Sequence, residues 1–253
     1  MTTTFIKVDY MNKHRIFING EPDSVERCVS LINMWVWWSY VGRAILEEIF
    51  DVHKILKINI VPYTENPNVE PKTNWGNIPD AHAKGYFHPG QAGQKDVEGT
   101  GRGSEMYIDL NENLSVSENK CPTIRTVACY TYMRPEFALM HELVHANRGM
   151  RGKMQTHSLP NQDMWNSEEE IAILITNMLM SEKGVTALRK DYRTNNVMDS
   201  DDPAKFIEQE GNKDLVKQIA ADHPKLKRNT NTNAVHIPFN PIFMCFQGKP
   251  TAA

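Results

Sequence analysis

His141 and His145 stand four residues apart inside Phe137 to Ala146, a run whose remaining positions are almost all apolar. Pro135 occupies the first helical position that proline favours, and Gly149 is a natural C-terminal cap, so the run reads as one helix. Phe137, Met140, Leu143 and Val144 give that helix a buried side. Residues i and i+4 share a helix face, so both imidazoles can reach one metal ion. Two histidines on an otherwise buried helix need partners, and the fold must therefore bring further polar groups to this face. Glu142 is rotated about a quarter turn from His141, beside such an ion rather than on it. That is where a base stands to take a proton from water activated at the metal. Zinc suits the set, because it accepts two neutral imidazoles and a carboxylate and keeps one position open.

The third ligand must come from elsewhere. A histidine six residues after His145 is absent, since Arg151 holds that place, and no Asp occurs between His145 and Asp163. His157 is available but lies in a Gly/Met/Thr/Pro-rich loop. The better source is Ser167-Glu168-Glu169-Glu170, which opens the next helix as a Ser-x-x-Glu capping box. Glu170 is engaged by the cap, which leaves Glu168 or Glu169. Glu169 is preferred, because Glu168 would fall on the helix face opposite Asn177. Acidic residues also favour a first turn for its own sake.

The rest of the chain reads as α+β. Phe5 to Tyr10 and Arg15 to Ile18 alternate as a short hairpin. A helix starts at Asp23, with Glu26 completing a capping box and Val25, Cys28, Val29, Ile32, Trp35 and Val36 as its apolar stripe. Trp35, Trp37 and Trp38 are expected to pack inside. A second helix runs from Arg43 to Phe50, and Ile55 to Pro62 is a strand. Thr64 to Gly103 is a long Pro/Gly/Asn-rich loop. Met106 to Leu110 and Thr123 to Tyr130 are further strands. The Ser167 helix continues to Glu182. Asp202-Pro203 opens a helical region broken at Gly211 and ending near His223-Pro224. A polar tail follows, and Val235 to Phe246 reads as an edge strand. The organisation is a hairpin over 1–22, a core over 23–195, and a C-terminal helical extension with a tail packing back over 196–253.

The net charge of −3 offers no general attraction to nucleic acid or anionic membrane. No apolar stretch is long enough to span a bilayer. The first residues lack the basic and apolar regions of a Sec signal, so any export takes another route. Cys28, Cys121, Cys129 and Cys245 have no C-x-x-C spacing and read as indifferent thiols.

Three stretches together are similar to a known family: H-E-L-V-H-A from His141, E-E-x-x-A-I-x-x-x-N from Glu168 to Asn177, and E-x-G-x-x-x-L-R-x-x-Y from Glu182 to Tyr192. With Gly99 to Asp109 upstream, they resemble the NleD-type metallopeptidases. These are secreted bacterial effector proteases with relatives among Rhs-type toxin domains. The resemblance covers roughly Arg43 to Tyr192. It implies a zincin-like fold, with a small twisted sheet packed on the metal helix and a second, Glu-bearing helix across it. It implies His141 and His145 as zinc ligands, a further ligand from Glu168 or Glu169, Glu142 as general base, and Arg189 and Tyr192 near the site as oxyanion stabilisers. It further implies a protein substrate in the cytoplasm of a host or target cell, and an export route that could involve a secretion chaperone. The competing classes are an inactive zinc-site module that binds a partner and a metal hydrolase of a non-peptide amide.

Overall fold

The computed structural model describes residues 2–5, 16–60, 104–108, 110, 135–153, 167–190 and 197–247. The chain is mixed helix and sheet, mostly helical. Strand β1 (Thr2–Phe5) pairs antiparallel with β2 (Ile16–Gly20). Strand β2 runs parallel to β3 (Leu56–Ile60), which runs parallel to β4 (Ser104–Ile108). Ile16 and Ile18, Leu56, Ile58 and Ile60, and Met106 and Ile108 are all buried. Their period of two puts one apolar face of the sheet on the helices. Parallel neighbours need a crossover, and two helices supply it between β2 and β3.

The antiparallel pair expected at the start is present, but its first strand is Thr2–Phe5 rather than Phe5 to Tyr10. Residues 6–15 lie outside the described set, as do the Thr64 to Gly103 loop and the Thr123 to Tyr130 strand. Strand β4 begins two residues before the predicted Met106.

Helix α1 (Pro22–Trp38) starts with Pro22 in its first turn and Glu21 as cap, and that cap makes no side-chain hydrogen bond. The predicted Asp23–Glu26 capping box is therefore not formed. Asp23 instead sits in the first turn, where a negative charge suits the helix dipole. Val25, Cys28, Ile32, Trp35 and Val36 are buried as their spacing predicts. Trp37 and Trp38 are not: they are 58% and 76% exposed, because each further residue at the helix end rotates away from the core.

Helix α2 (Tyr40–Asp51) begins three residues before the predicted Arg43. Ser39 caps it by accepting from the Gly42 N–H at 2.8 Å. Glu182, from a distant helix, completes the cap, accepting from the Ser39 hydroxyl at 2.6 Å and the Tyr40 N–H at 2.5 Å. Gly42 allows the corner to close. A Cβ there would lie 2.7 Å from the Trp35 Cβ.

Helices α3 (Pro135–Arg151) and α4 (Ser167–Glu182) start where Pro135 and Ser167 predicted. Ser167 is already helical, however, and its buried hydroxyl makes no hydrogen bond, so the box with Glu170 is not made. Helix α3 packs against α2, α4 and β4, which buries it on nearly every side.

The C-terminal part departs most from expectation. Helix α5 (Pro203–Glu208) is capped by Asp202, and α6 (Asn212–Asp222) follows Gly211. The supposed polar tail from Lys225 is helix α7 (Pro224–Thr232), because Pro224 opens a helix as readily as it ends one. The supposed edge strand from Val235 to Phe246 is a 3-10 turn (Ala234–His236) and helix α8 (Pro241–Gln247). Pro241 opens α8, and the Asn240 side chain accepts from the Phe243 N–H at 3.0 Å. Helix α7 lies on α2, and α8 on α5, α6 and α7. No described helix is long and apolar enough to cross a membrane.

Candidate metal centre

The i, i+4 spacing on α3 sets the two imidazoles together, with ring centroids 4.7 Å apart and planes nearly perpendicular. Their Nε2 atoms are 3.1 Å apart. Glu169, at the start of α4, closes the group. One of its carboxylate oxygens is 3.0 Å from His141 Nε2 and the other 3.4 Å from His145 Nε2. One donor atom each from His141, His145 and Glu169 lies within 4.8 Å of the others, close enough to hold a metal ion. Both rings aim the same nitrogen at this point, and the donor set fits zinc.

Of the two candidate glutamates, Glu169 is the one that faces this point. Glu168 turns the other way, to His145 Nδ1 at 3.4 Å and to Arg148 Nε at 2.9 Å from each oxygen. Metal-binding histidines commonly give their second ring N–H to a carboxylate in this manner, which fixes the tautomer and aims the first nitrogen. Adjacent helical residues point about 100° apart, so the pair divides between the two tasks.

Burial dominates the electrostatics. It pushes the His141 imidazolium down to about 4; the His145 and Arg189 charges push the same way, against hydrogen bonding and attraction from Glu169. Burial also acts against a charged His145. There the Glu169 charge, hydrogen bonds from Glu168 and Glu169, and the Glu142 charge outweigh it and hold the pKa well above the ordinary value. Burial would raise both glutamates, but nearby cations win. Glu168 is held down by Arg148 and His145, and Glu169 by His145 and His141. Glu168 and Glu169 are thus both held ionised in a largely buried cluster.

Glu142 is buried on α3 next to the two histidines, and its charge is felt at His145. Arg189 is also buried, and its charge is felt at His141. Asn177 explains how Arg189 comes to be there. Its side chain donates to the Arg189 carbonyl at 2.7 Å and accepts the Arg189 N–H at 3.0 Å, anchoring that segment to α4. Tyr192 and His157 lie outside the described residues.

Sequence reasoning missed the polar groups behind the site. Arg148, fully buried, also donates to Asp222 at 2.8 Å and to the Lys153 carbonyl at 2.7 Å. Glu48 on α2 gathers His223 Nδ1 at 2.7 Å, Arg151 at 3.1 Å, Asn147 at 3.2 Å and the Lys225 N–H at 3.1 Å. The available signal was Arg148 itself, three residues beyond His145 on a helix with no solvent-facing side.

Scans against protein-family models, curated proteins and solved structures find no match. Fold and site together define a mixed, mostly helical protein carrying a His141–His145–Glu169 group able to bind a metal ion.

Proposed function

We propose that this chain is a zinc-dependent endopeptidase of the NleD type that cleaves proteins in the cytoplasm of a host or target cell. The observation that carries the reading is the convergence of His141 Nε2, His145 Nε2 and Glu169, with Glu142 adjacent on the same helix. When bound, zinc supplies the Lewis acidity that activates water and polarises a scissile carbonyl. Glu142 is the base that takes the proton from that water and hands it to the leaving amine. Arg189, held by Asn177, supplies a fixed positive charge at the site to offset the developing oxyanion.

Substrate would be held on strand β4. Among the described strands it stands at the edge of the sheet, and it packs against α3. An extended peptide can add to such an edge through backbone hydrogen bonds. A proline in β4 whose missing N–H faces the peptide should impair cleavage without unfolding.

The test compares wild type with Glu142→Ala for zinc content by mass spectrometry and for new N-termini after incubation with a eukaryotic lysate. One zinc per chain in both, with cleavage by wild type alone, supports the peptidase. Zinc without cleavage favours a partner-binding module or a non-peptide amide substrate. No zinc in either refutes the reading.

A further inference from the structure

Helices α6 and α7 meet at Asp222, His223 and Pro224, far along the chain from the metal ligands yet packed against the back of them. The connection runs through one side chain. Arg148 Nε lies 2.9 Å from both oxygens of Glu168, Nη1 is 2.8 Å from Asp222 Oδ2, and Nη2 donates to the Lys153 carbonyl at 2.7 Å. The His223 ring stands 3.5 Å from Nη1, and its other nitrogen faces Glu48. Arg148, Glu168, His145, His223 and Glu48 are all buried, which limits their freedom to re-aim by moving into water.

We propose that Arg148 and Asp222 are positioning residues of the metal centre: Asp222 holds the guanidinium, the guanidinium holds Glu168, and Glu168 fixes His145 with Nε2 toward Glu169. The C-terminal helices are then part of the centre rather than an appendage. The inference rests on the metal-site reading above. Three features separate it from ordinary core packing. Arg148 meets Glu168 edge-on through Nε, which leaves Nη1 and Nη2 for two other acceptors. A lysine could not reproduce that geometry. Glu168 is almost fully buried, at 1% exposure, and both Arg148 and His145 act on its charge, so the guanidinium helps to set its orientation. Finally, Nδ1 of His145 is the nitrogen not aimed at the ligand group, the place where an outer carboxylate tunes a metal-bound imidazole.

The test uses full-length wild type, Glu168→Gln and Asp222→Asn, each keeping side-chain shape and leaving His141, His145 and Glu169 untouched. Zinc affinity is measured by competition with a chromophoric chelator, the visible ligand-field bands are recorded after cobalt loading, and the melting temperature of the metal-free protein is measured alongside. Glu168→Gln should weaken zinc by about 10–100-fold, the range for loss of an outer-shell partner. Asp222→Asn should weaken it in the same direction by less, and both should shift the cobalt bands. A purely structural role would lower the melting temperature and leave zinc affinity and the cobalt spectrum unchanged, which would overturn the inference. So would a zinc effect in Glu168→Gln with none in Asp222→Asn. If one variant fails to fold, wild-type behaviour in the other is decisive against the proposal. Failure of wild type to bind zinc removes the metal-site reading and this inference with it. Zinc binding by wild type with no change in either variant removes the inference alone.

Discussion

Removing the Glu169 carboxylate should all but abolish the stabilisation that zinc confers, whereas removing Glu142 should not. Three donors already converge in the fold, so on the proposed reading an ion would bind the native state and find no equivalent site in the unfolded chain. At a free zinc concentration 100 times the dissociation constant, that linkage is worth about 2.7 kcal/mol. For a chain of 253 residues, each kcal/mol moves the melting temperature by about 2–4 °C. Wild type should therefore melt about 5–11 °C higher with zinc than with chelator. If loss of one ligand weakens binding by at least about 100-fold, the upper end seen for outer-shell partners, the same zinc concentration leaves about 0.4 kcal/mol. Glu169→Ala should then shift by only about 1 °C. Its metal-free form should lose less than the 3–5 kcal/mol typical of a broken buried pair, because His145 can shed its proton once its main anion is gone. Acid should erode the wild-type shift, since a proton held on His145 well above the usual range must leave before zinc binds. Differential scanning fluorimetry at matched zinc activity reads all of this. A full wild-type shift in Glu169→Ala would refute the ligand assignment, and a lost shift in Glu142→Ala would refute the role of Glu142 as a base beside the ion.

Glu48→Gln should cost about 3 kcal/mol near neutral pH in urea unfolding, because it removes the anion shared by His223, Arg151 and Asn147. Burial would raise the Glu48 pKa, but His223, Arg151 and the Lys225 N–H together hold it below the usual value. A depressed carboxylate stabilises above its unfolded pKa and stops doing so as pH falls through the folded one, so the gap between wild type and variant should narrow below about pH 4.3; parallel pH curves would contradict this. Gly42→Ala should destabilise by about 1–3 kcal/mol, since its Cβ would meet the Trp35 side chain at 2.7 Å; an unchanged denaturation midpoint would show that the corner has slack. Burial pushes the Cys28 thiol up to about 12, so a thiol reagent at pH 8 should spare it until the protein is denatured, and rapid native labelling of Cys28 by peptide mapping would contradict its burial.

The readable parts of this protein are those written in a few neighbouring residues. Alternation marked β2 and β3, i, i+4 spacing paired His141 with His145, and an acidic first turn after Ser167 narrowed the third member of the group to two residues. Local signals misled where one residue type serves two purposes. Pro224 and Pro241 read as breaks yet open helices, and apolar Val235 to Phe246 suited a strand as well as a short helix. Trp37 and Trp38 looked like core because hydrophobicity says nothing about which turn of a helix outruns its neighbours.

By itself, then, the sequence determined the helix that carries His141, Glu142 and His145 and the face that the two histidines share, because helical geometry makes residues four apart predictable neighbours. Tertiary structure decided between Glu168 and Glu169, since only the packing of α4 on α3 says which carboxylate faces the histidines and which faces Arg148. It also decided the Arg148–Asp222, Ser39–Glu182 and Glu48–His223 contacts, whose partners are 74, 143 and 175 positions apart. Buried polar groups must find partners wherever the fold puts them, and nothing local names a partner that distant.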